Sequence, residues 1–171
     1  MKIVDNVIKE YDLNLLYTNL TSNLVPWTFN HNVAYGEGNM QYGFSNNIYE
    51  DGVLENPSIS LLLNSVYKTL KIKELIRCRV GFIFYSGKTE IHDPHVDFEF
   101  PHTTSLFYVN SSTGPTVIYN EKYGDKFDEY TVKKKIEPVA NRIITFNGLH
   151  YHSSSSPKEK GYRLVVTFNY R

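Results

Sequence analysis

The sequence predicts a mainly β protein, a sandwich or jelly roll with helices at its N-terminal side. From residue 75 onward, short runs rich in Val, Ile, Phe, Tyr and Thr alternate with turns of Gly, Pro, Asn, Asp and Ser. No helical pattern separates these runs, so parallel strands joined by helical crossovers are not expected. The predicted strands lie near 75–85, 92–97, 103–110, 115–119, 130–137, 142–146, 150–153 and 162–170.

The first 74 residues predict elements that support this sheet structure from outside. Residues 2–8 alternate apolar and polar side chains, as a short strand does, and a helix is expected from Asp12 to Leu20 with Asp12 as its cap. A second helix begins at Pro57 and continues to Leu70, because apolar residues recur there at helical spacing. Residues 30–52 are rich in Asn, Gly and Tyr without periodicity, which favours a functional loop that covers the site.

The bulk properties favour one domain over residues 1–171, with 1–74 as support and 75–171 as the jelly-roll core. The 18 basic and 18 acidic residues cancel, so general nucleic-acid binding is not favoured. Cys78 is the single cysteine and is expected to be buried and reduced. No apolar run is long enough to span a membrane, so we expect a soluble, cytoplasmic protein.

Three side chains predict a metal site. On a strand, alternate residues point the same way, so His95 and Asp97 can face the barrel interior while Val96 faces outward. His150 or His152 would supply the third ligand, and because these two would share a face, geometry alone leaves the choice open. Two imidazoles and one carboxylate form the ligand set of non-haem Fe(II) oxygenases, which leaves coordination positions open.

Arg163 predicts an anionic ligand in the same interior. It follows His152 by eleven residues, on the strongly β-patterned segment that runs to Tyr170. An arginine inside a barrel is costly unless its charge is paired, and a dicarboxylate would give its guanidinium a bidentate partner. The alternative is a surface arginine paired with a glutamate, which would be preferred without the metal ligands nearby.

Motifs spread over the second half of the chain carry a family resemblance. They are Tyr85-Ser86-Gly87 ten residues before His95, the pair His95 and Asp97, residues 106–110 (LFYVN), Glu137-Pro138, residues 142–148 (RIITFNG), and His152 with Pro157 before Arg163. With these motifs, the segment from about Arg77 to Arg171 resembles the Fe(II)- and 2-oxoglutarate-dependent oxygenases. The resemblance is strongest to the prolyl 4-hydroxylase-like branch, in particular to small phage and marine bacterial enzymes.

The resemblance implies a double-stranded β-helix and a set of site residues. His95, Asp97 and His152 would bind Fe(II), with His152 chosen by its position six residues after the Phe of the Phe-Asn-Gly motif. Arg163 would bind the distal carboxylate of 2-oxoglutarate. Many relatives carry a serine where this chain has Val165, so the resemblance leaves the second carboxylate donor to other residues. These are Tyr108 and Thr167, and Tyr85 would lie beside the co-substrate.

The reaction implied by the resemblance is hydroxylation of a C–H bond with O2 and 2-oxoglutarate as co-substrates. A prolyl or other peptidyl side chain is the first substrate class, with a nucleobase or a small molecule next. Residues 111–116 replace the Gly-Gly turn of animal prolyl hydroxylases, so their protein substrates cannot be transferred to this chain.

Two other functions stay open at this point: a jelly-roll binding module that has lost turnover, and a cupin-like metal enzyme that uses no 2-oxoglutarate. The cupin-like site would need a further ligand, for which Glu99 and His150 are the candidates. The other polar and aromatic candidates are not expected to bind the metal. His92 and His102 are expected to contact substrate or the core, Lys133, Lys134 and Lys135 to form a solvated edge, Trp27 to pack in the core, and Tyr35, Tyr42 and Tyr49 to offer stacking surfaces.

Overall fold

The computed structural model describes residues 1–33, 42–85, 87 and 90–171. Within these residues the chain forms strands and three helices. The strands are β1 (Lys2–Val4), β2 (Thr28–Asn30), β3 (Gly43–Glu50), β4 (Val53–Leu54), β5 (Leu75–Phe84), β6 (Thr103–Tyr108), β7 (Thr116–Lys122), β8 (Val132–Ile136), β9 (Arg142–Asn147), β10 (His150–Ser153) and β11 (Tyr162–Tyr170). The helices are α1 (Glu10–Leu20), α2 (Pro57–Leu62) and α3 (Asn64–Tyr67).

Two antiparallel sheets form the barrel. The major sheet has the order β1-β9-β6-β11-β5-β3-β2, with β4 paired to β3, and the minor sheet has the order β10-β7-β8. Leu106, Ile118, Ile136 and Ile144 belong to one buried cluster although they come from both sheets. The two sheets therefore pack face to face, as the jelly-roll prediction requires, and the mainly β class is confirmed.

The two faces of β11 lie in different environments, one against the helices and one towards a cavity between the sheets. Leu164, Val166 and Phe168 are buried in a second cluster that also contains α1 residues Leu16 and Leu20. The intervening Arg163, Val165 and Thr167 line a cavity between the sheets. Because side chains alternate along a strand, one face of β11 packs beneath the helices while the other face forms the site.

The N-terminal helices differ in detail from the sequence prediction. Helix α1 begins at Glu10 instead of Asp12, and the Asp12 carboxylate accepts a hydrogen bond from the Ser65 hydroxyl at 2.8 Å. The predicted helix from Pro57 to Leu70 is instead two short helices. The first of them begins at Pro57 as predicted, and its first turn is capped by the Asn56 side chain, which accepts from the Ile59 backbone N–H.

The first 74 residues also contribute four strands, β1 to β4, to the major sheet. Of these, β1 lies in the segment 2–8 that was predicted as a strand, whereas the sequence pattern did not reveal β2, β3 and β4. The segment 43–50, predicted to be loop, is strand β3 and pairs with β5. The predicted strand at 92–97 is wrong: that segment makes only one isolated bridge, from His95 to His152, and a second bridge joins the preceding Ile91 to Ser155. No helix in the described residues is long and apolar enough to cross a membrane.

Candidate metal centre

The structure brings His95, Asp97 and His152 together. Each offers one ligand atom, and these atoms all lie within 4.8 Å of one another. His152 sits on β10, whereas His95 lies outside the regular strands and is fixed by two backbone hydrogen bonds to His152, of 3.0 and 2.9 Å. Although His95 is not part of a strand, this backbone pairing positions His95 and His152 next to each other without a bound ion.

The Asp97 carboxylate is held by side chains from two neighbouring strands of the major sheet, β5 and β11. Arg77 Nη2 donates to Asp97 Oδ1 at 2.6 Å, and Asn169 Nδ2 donates to Asp97 Oδ2 at 2.8 Å. Arg77 Nε also donates to Asn169 Oδ1 at 3.2 Å, so the three side chains form a closed ring of hydrogen bonds. Partners of this kind fix the orientation of a metal-ligating carboxylate.

The electrostatics leave the ligands in the forms that bind a metal. Burial alone would raise the pKa of Asp97, but the charges of His152, Arg77 and His95 outweigh it and hold that pKa well below its usual range. Burial, and next the charge of His95, lowers the pKa of His152 to about 4. At neutral pH Asp97 is therefore a carboxylate and His152 a neutral imidazole, the states required of ligands.

The structure distinguishes His152 from His150, which the sequence pattern could not do by geometry. His152 is in the ligand cluster, and its ring packs edge-on against Phe146 with centroids 5.2 Å apart. His150 instead places Nε2 3.3 Å from the Lys133 ammonium group. Burial and the charges of Lys133 and Lys122 lower the pKa of His150.

Arg163 lies in the same cavity as the three ligand residues. Its side chain is 1% exposed, and Nη2 donates to the Thr116 hydroxyl at 2.6 Å. Nε and Nη1 are also buried but have no hydrogen-bond partner among the described residues. A buried guanidinium with two unpartnered N–H groups is energetically costly by itself, so this arginine is arranged to receive an anion.

Thr116 is a site residue that the sequence analysis missed. It lies on β7 of the minor sheet, and its hydroxyl bonds both Arg163 on the major sheet and the Tyr108 hydroxyl at 2.7 Å. The Arg163 guanidinium also lies 5.6 Å from the centre of the Tyr108 ring. Nothing in the sequence around a single threonine after Gly114-Pro115 distinguishes it from an ordinary strand residue; only the pairing of two sheets shows its role.

The other predicted co-substrate residues lie in different places. Thr167 lines the cavity, which has a volume of about 70 Å³ and also contains Arg163 and the three ligand residues. Tyr108 contacts this group through Thr116. Tyr85 follows β5, is not among the residues that line the cavity, and donates its hydroxyl to the Gly87 carbonyl at 2.9 Å.

The remaining candidates are not members of the ligand cluster. Glu99 is exposed and accepts a hydrogen bond from the Tyr123 hydroxyl at 2.6 Å, so it is neither a fourth ligand nor a support for one. His92 bonds the Ser154 hydroxyl, and His102 bonds the Phe100 carbonyl. Trp27 and Tyr49 pack against the buried cluster that contains the helix residues. The lysines of β8 are exposed on an edge strand. Tyr42 is 45% exposed beside Phe29, and Tyr35 is outside the described residues.

Comparison with known proteins adds evidence on the fold. No family model matches the sequence, and no curated protein sequence is significantly similar. Solved structures do match. A prolyl hydroxylase from Trichoplax adhaerens, in complex with a peptide of the hypoxia inducible factor oxygen degradation domain, has a TM-score of 0.64 at 17% identity, covering 99% of this chain and 82% of that one.

Two further solved structures have a similar fold. A 2OG-Fe(II) oxygenase family oxidoreductase from Burkholderia pseudomallei has a TM-score of 0.63 at 13% identity, covering 91% of this chain and 77% of that one. HygX from Streptomyces hygroscopicus, with nickel, 2-oxoglutarate and hygromycin B bound, has a TM-score of 0.59 at 10% identity, covering 98% and 80%. The fold is that of the 2-oxoglutarate oxygenases. At these identities the likeness establishes the fold alone.

The ligand cluster and Arg163 fit the iron and the 2-oxoglutarate that oxygenases of this fold use. The ligand set of two imidazoles and one carboxylate is the one that suits non-haem Fe(II), and the unpartnered N–H groups of Arg163 match one end of a dicarboxylate. Both features line one cavity, so a single small molecule has access to the metal ligands and to the arginine.

Proposed function

We propose that this protein is an Fe(II)- and 2-oxoglutarate-dependent dioxygenase that hydroxylates a C–H bond. The observation that carries the proposal is the cavity shared by the ligand cluster and by Arg163, whose buried Nε and Nη1 have no partner in the described part of the chain. A metal site alone would fit a cupin-like enzyme, and a buried arginine alone would fit an anion-binding module. Their combination is what an oxidation coupled to 2-oxoglutarate requires.

In this proposal the chain's own residues bind and orient the reactants. His95, Asp97 and His152 would hold the iron, which with O2 and 2-oxoglutarate supplies the oxidising chemistry. Arg163 would accept the distal carboxylate of 2-oxoglutarate as a bidentate partner. Thr116, already bonded to Arg163, would keep the guanidinium in that orientation, and Tyr108 would fix the Thr116 hydroxyl. Thr167 would complete the wall beside the co-substrate.

The proposed substrate is a small molecule or a peptidyl side chain, with a prolyl residue as the first peptidyl candidate. Among the structural neighbours, the Trichoplax enzyme is in complex with a peptide and HygX holds hygromycin B. The same barrel therefore accommodates both kinds of ligand in proteins of similar fold. Nucleic acid is not favoured, because the chain's charges balance.

The test measures binding and turnover in one preparation. Anaerobic protein is titrated with Fe(II) and 2-oxoglutarate, O2 is then admitted, and succinate is measured. Wild type should bind both and release succinate slowly without added substrate. His152→Ala should lose metal binding, whereas Arg163→Met should keep it and need at least tenfold more 2-oxoglutarate, since a charge-assisted bidentate pair is lost.

Matched control variants distinguish the loss of a site residue from a general loss of folding. His150→Ala removes the neighbouring imidazole, which contacts Lys133, and should keep metal binding. Arg171→Gln removes a surface arginine next to Glu74 and should keep the affinity for 2-oxoglutarate. If folded wild type binds Fe(II) but neither binds nor consumes 2-oxoglutarate, the dioxygenase proposal is wrong and the cupin-like alternative takes its place.

A further inference from the structure

A second cavity borders the metal ligands but not Arg163. It has a volume of about 130 Å³, and all of its lining residues in the described part of the chain except Asn32 also line the first cavity, so the two cavities adjoin. Arg163 and Thr116 line only the first cavity. If 2-oxoglutarate occupies the cavity that contains Arg163, the second cavity, here called the side cavity, is the space next to the metal that remains for the substrate.

The lining of the side cavity is polar. Val33 is its one apolar side chain among the described residues, and the others are Asn30, Asn32, Arg77, Arg79, His95 and Asp97. An uncharged prolyl side chain alone would leave these groups without hydrogen bonds, which is unfavourable on burial, so a peptidyl substrate would need a polar or charged group beside the reacting residue. The side cavity therefore suits a ligand with polar or charged groups of its own.

The charges around the two cavities are unequal. Three arginines line them, namely Arg77, Arg79 and Arg163, against one carboxylate, that of Asp97, in the described residues. The charges of Fe(II) and of the 2-oxoglutarate dianion cancel when both are bound. Asp97 offsets one arginine, and the Glu50 carboxylate, 4.0 Å from Arg77 Nη1, offsets a second, so a net positive charge remains, and it favours an anionic substrate.

Arg79 is the arginine placed to meet that substrate. Arg77 is 7% exposed and is engaged by Asp97 and Asn169, and Arg163 does not reach the side cavity. Arg79 is partly exposed and lies on β5, with Asn47 on β3 and Thr167 on β11 as its paired neighbours. It interacts with other groups of the protein already, but five N–H donors allow a guanidinium more than one partner.

We propose that the substrate carries an anionic group, a carboxylate or a phosphate, which Arg79 binds in the side cavity while the reacting C–H bond faces the metal ligands. The proposal rests on the proposed function and deepens it by naming the chemical class of the substrate. Asn30 and Asn32 would supply further polar contacts. Because β5 is paired on both sides, Arg79 is held on a rigid element and can fix the position of the substrate.

The experiment uses inorganic phosphate and acetate as probes. Protein loaded with Zn(II) and saturating 2-oxoglutarate is titrated with each anion, and the side-chain amide resonances of Asn30 and Asn32 are followed by NMR. We expect saturable shifts in wild type. Arg79→Gln should weaken the binding at least tenfold, Arg79→Lys should recover part of it, and the surface control Arg171→Gln should bind as wild type does.

The outcomes separate this proposal from the proposed function. Stronger binding of phosphate would assign a phosphorylated substrate, and stronger binding of acetate a carboxylate. Unchanged resonances, or equal shifts in Arg79→Gln and wild type, would overturn the anionic substrate while leaving 2-oxoglutarate turnover intact. If 2-oxoglutarate does not bind at all, the proposed function fails, and the anion titration is then interpreted in protein loaded with Zn(II) alone.

Discussion

Individual polar side chains at the metal centre are held by partners on other strands. Arg77 on β5 and Asn169 on β11 both donate to Asp97, and Asn169 also donates to the Thr104 hydroxyl at 3.1 Å. Removing one partner of a buried charge pair typically costs about 3–5 kcal/mol, because the other charge stays buried and unpaired. The role of each residue is therefore decided by contacts between residues far apart in the sequence.

The first prediction concerns the residue that orients Asp97. Arg77→Met removes the 2.6 Å hydrogen bond to Asp97 and the bond to Asn169 while keeping much of the side-chain volume. We expect the metal affinity to fall by about 10–100-fold, the usual effect of losing a partner of a metal ligand. Competition between the protein and a chelator for Co(II) measures this affinity. A folded variant that binds Co(II) as tightly as Arg171→Gln does would contradict the prediction.

The second prediction concerns His92 and the pH dependence of stability. Burial, and next the charges of Arg163 and His95, lower the pKa of His92 to about 3 from its ordinary value of 6.5. The unfolded chain binds a proton below pH 6.5 and the native chain does not until about pH 3. The free energy of unfolding therefore falls as the pH drops between these values, by about 2 kcal/mol at pH 5 from this group alone.

Denaturant titrations of metal-free protein at pH 7 and pH 5 measure this effect. His92→Gln keeps a polar side chain beside the Ser154 hydroxyl but cannot titrate. Wild type should lose about 2 kcal/mol more stability between the two pH values than His92→Gln does. His152 titrates in the same direction in both proteins, so it cancels in the comparison. Equal losses would show that His92 takes up its proton in the folded state.

At the scale of elements, the turn between β9 and β10 sets the position of His152. Gly148 in this turn donates its backbone N–H to the His102 carbonyl at 2.9 Å, and a Cβ built on it would lie 2.1 Å from His102 Nε2. Gly148→Ala must displace the His102 ring. We expect a loss of about 1–3 kcal/mol in the free energy of unfolding, the usual cost of overpacking.

A double-mutant cycle tests whether this contact is the cause. In a His102→Ala background, Gly148→Ala should cost less than about 1 kcal/mol, because the opposing ring is gone. Gly81→Ala is the control, since its added Cβ would meet Val165 at an ordinary 3.7 Å. Should Gly148→Ala cost the same in both backgrounds, the destabilisation comes from the turn's backbone and not from His102.

Some secondary-structure elements are predictable from local sequence and others are not. Strands β5, β6, β9 and β11 were predicted because their apolar alternation is a local signal, and the separation of two clusters across β11 confirms it. The segment 43–50 gave no such signal because it contains the polar Ser45 and Asn47. In the structure Ser45 accepts a hydrogen bond from Asn30 at 3.0 Å and Asn47 donates one to Glu50 at 2.6 Å, so these polar residues are accommodated in a paired strand. Its pairing with β5 decides its structure.

The site residues also divide into those with a local sequence signal and those placed by long-range packing. The residue types and spacing of His95 and Asp97 are local, so the sequence could identify them. His152 was chosen over His150 by the family resemblance, because their geometry on the strand could not separate them. The pairing of Thr116 with Arg163 and the place of Tyr85 depend on how the sheets approach one another. Nothing local encodes that approach, which is why Thr116 was missed and why the predicted role of Tyr85 beside the co-substrate stays a prediction.

For the whole molecule, the two sheets are joined at the site. The backbone bridge between His95 and His152 connects the segment after β5 to the minor sheet, and the Arg163 to Thr116 hydrogen bond connects β11 to β7. A metal ion bound by the three ligands would add a bond between the same parts. Ligand binding to the native state alone stabilises the entire fold by mass action.

The last prediction measures this coupling by thermal unfolding. Zn(II) at 100 times its Kd should raise the free energy of unfolding by about 2.7 kcal/mol. For a chain of this size that corresponds to a rise in Tm of roughly 5–10 °C. His152→Ala should show no rise, and His150→Ala should show the full rise because its imidazole contacts Lys133. An equal rise in His152→Ala would mean that Zn(II) binds elsewhere and that the two sheets are not joined by the metal at this site.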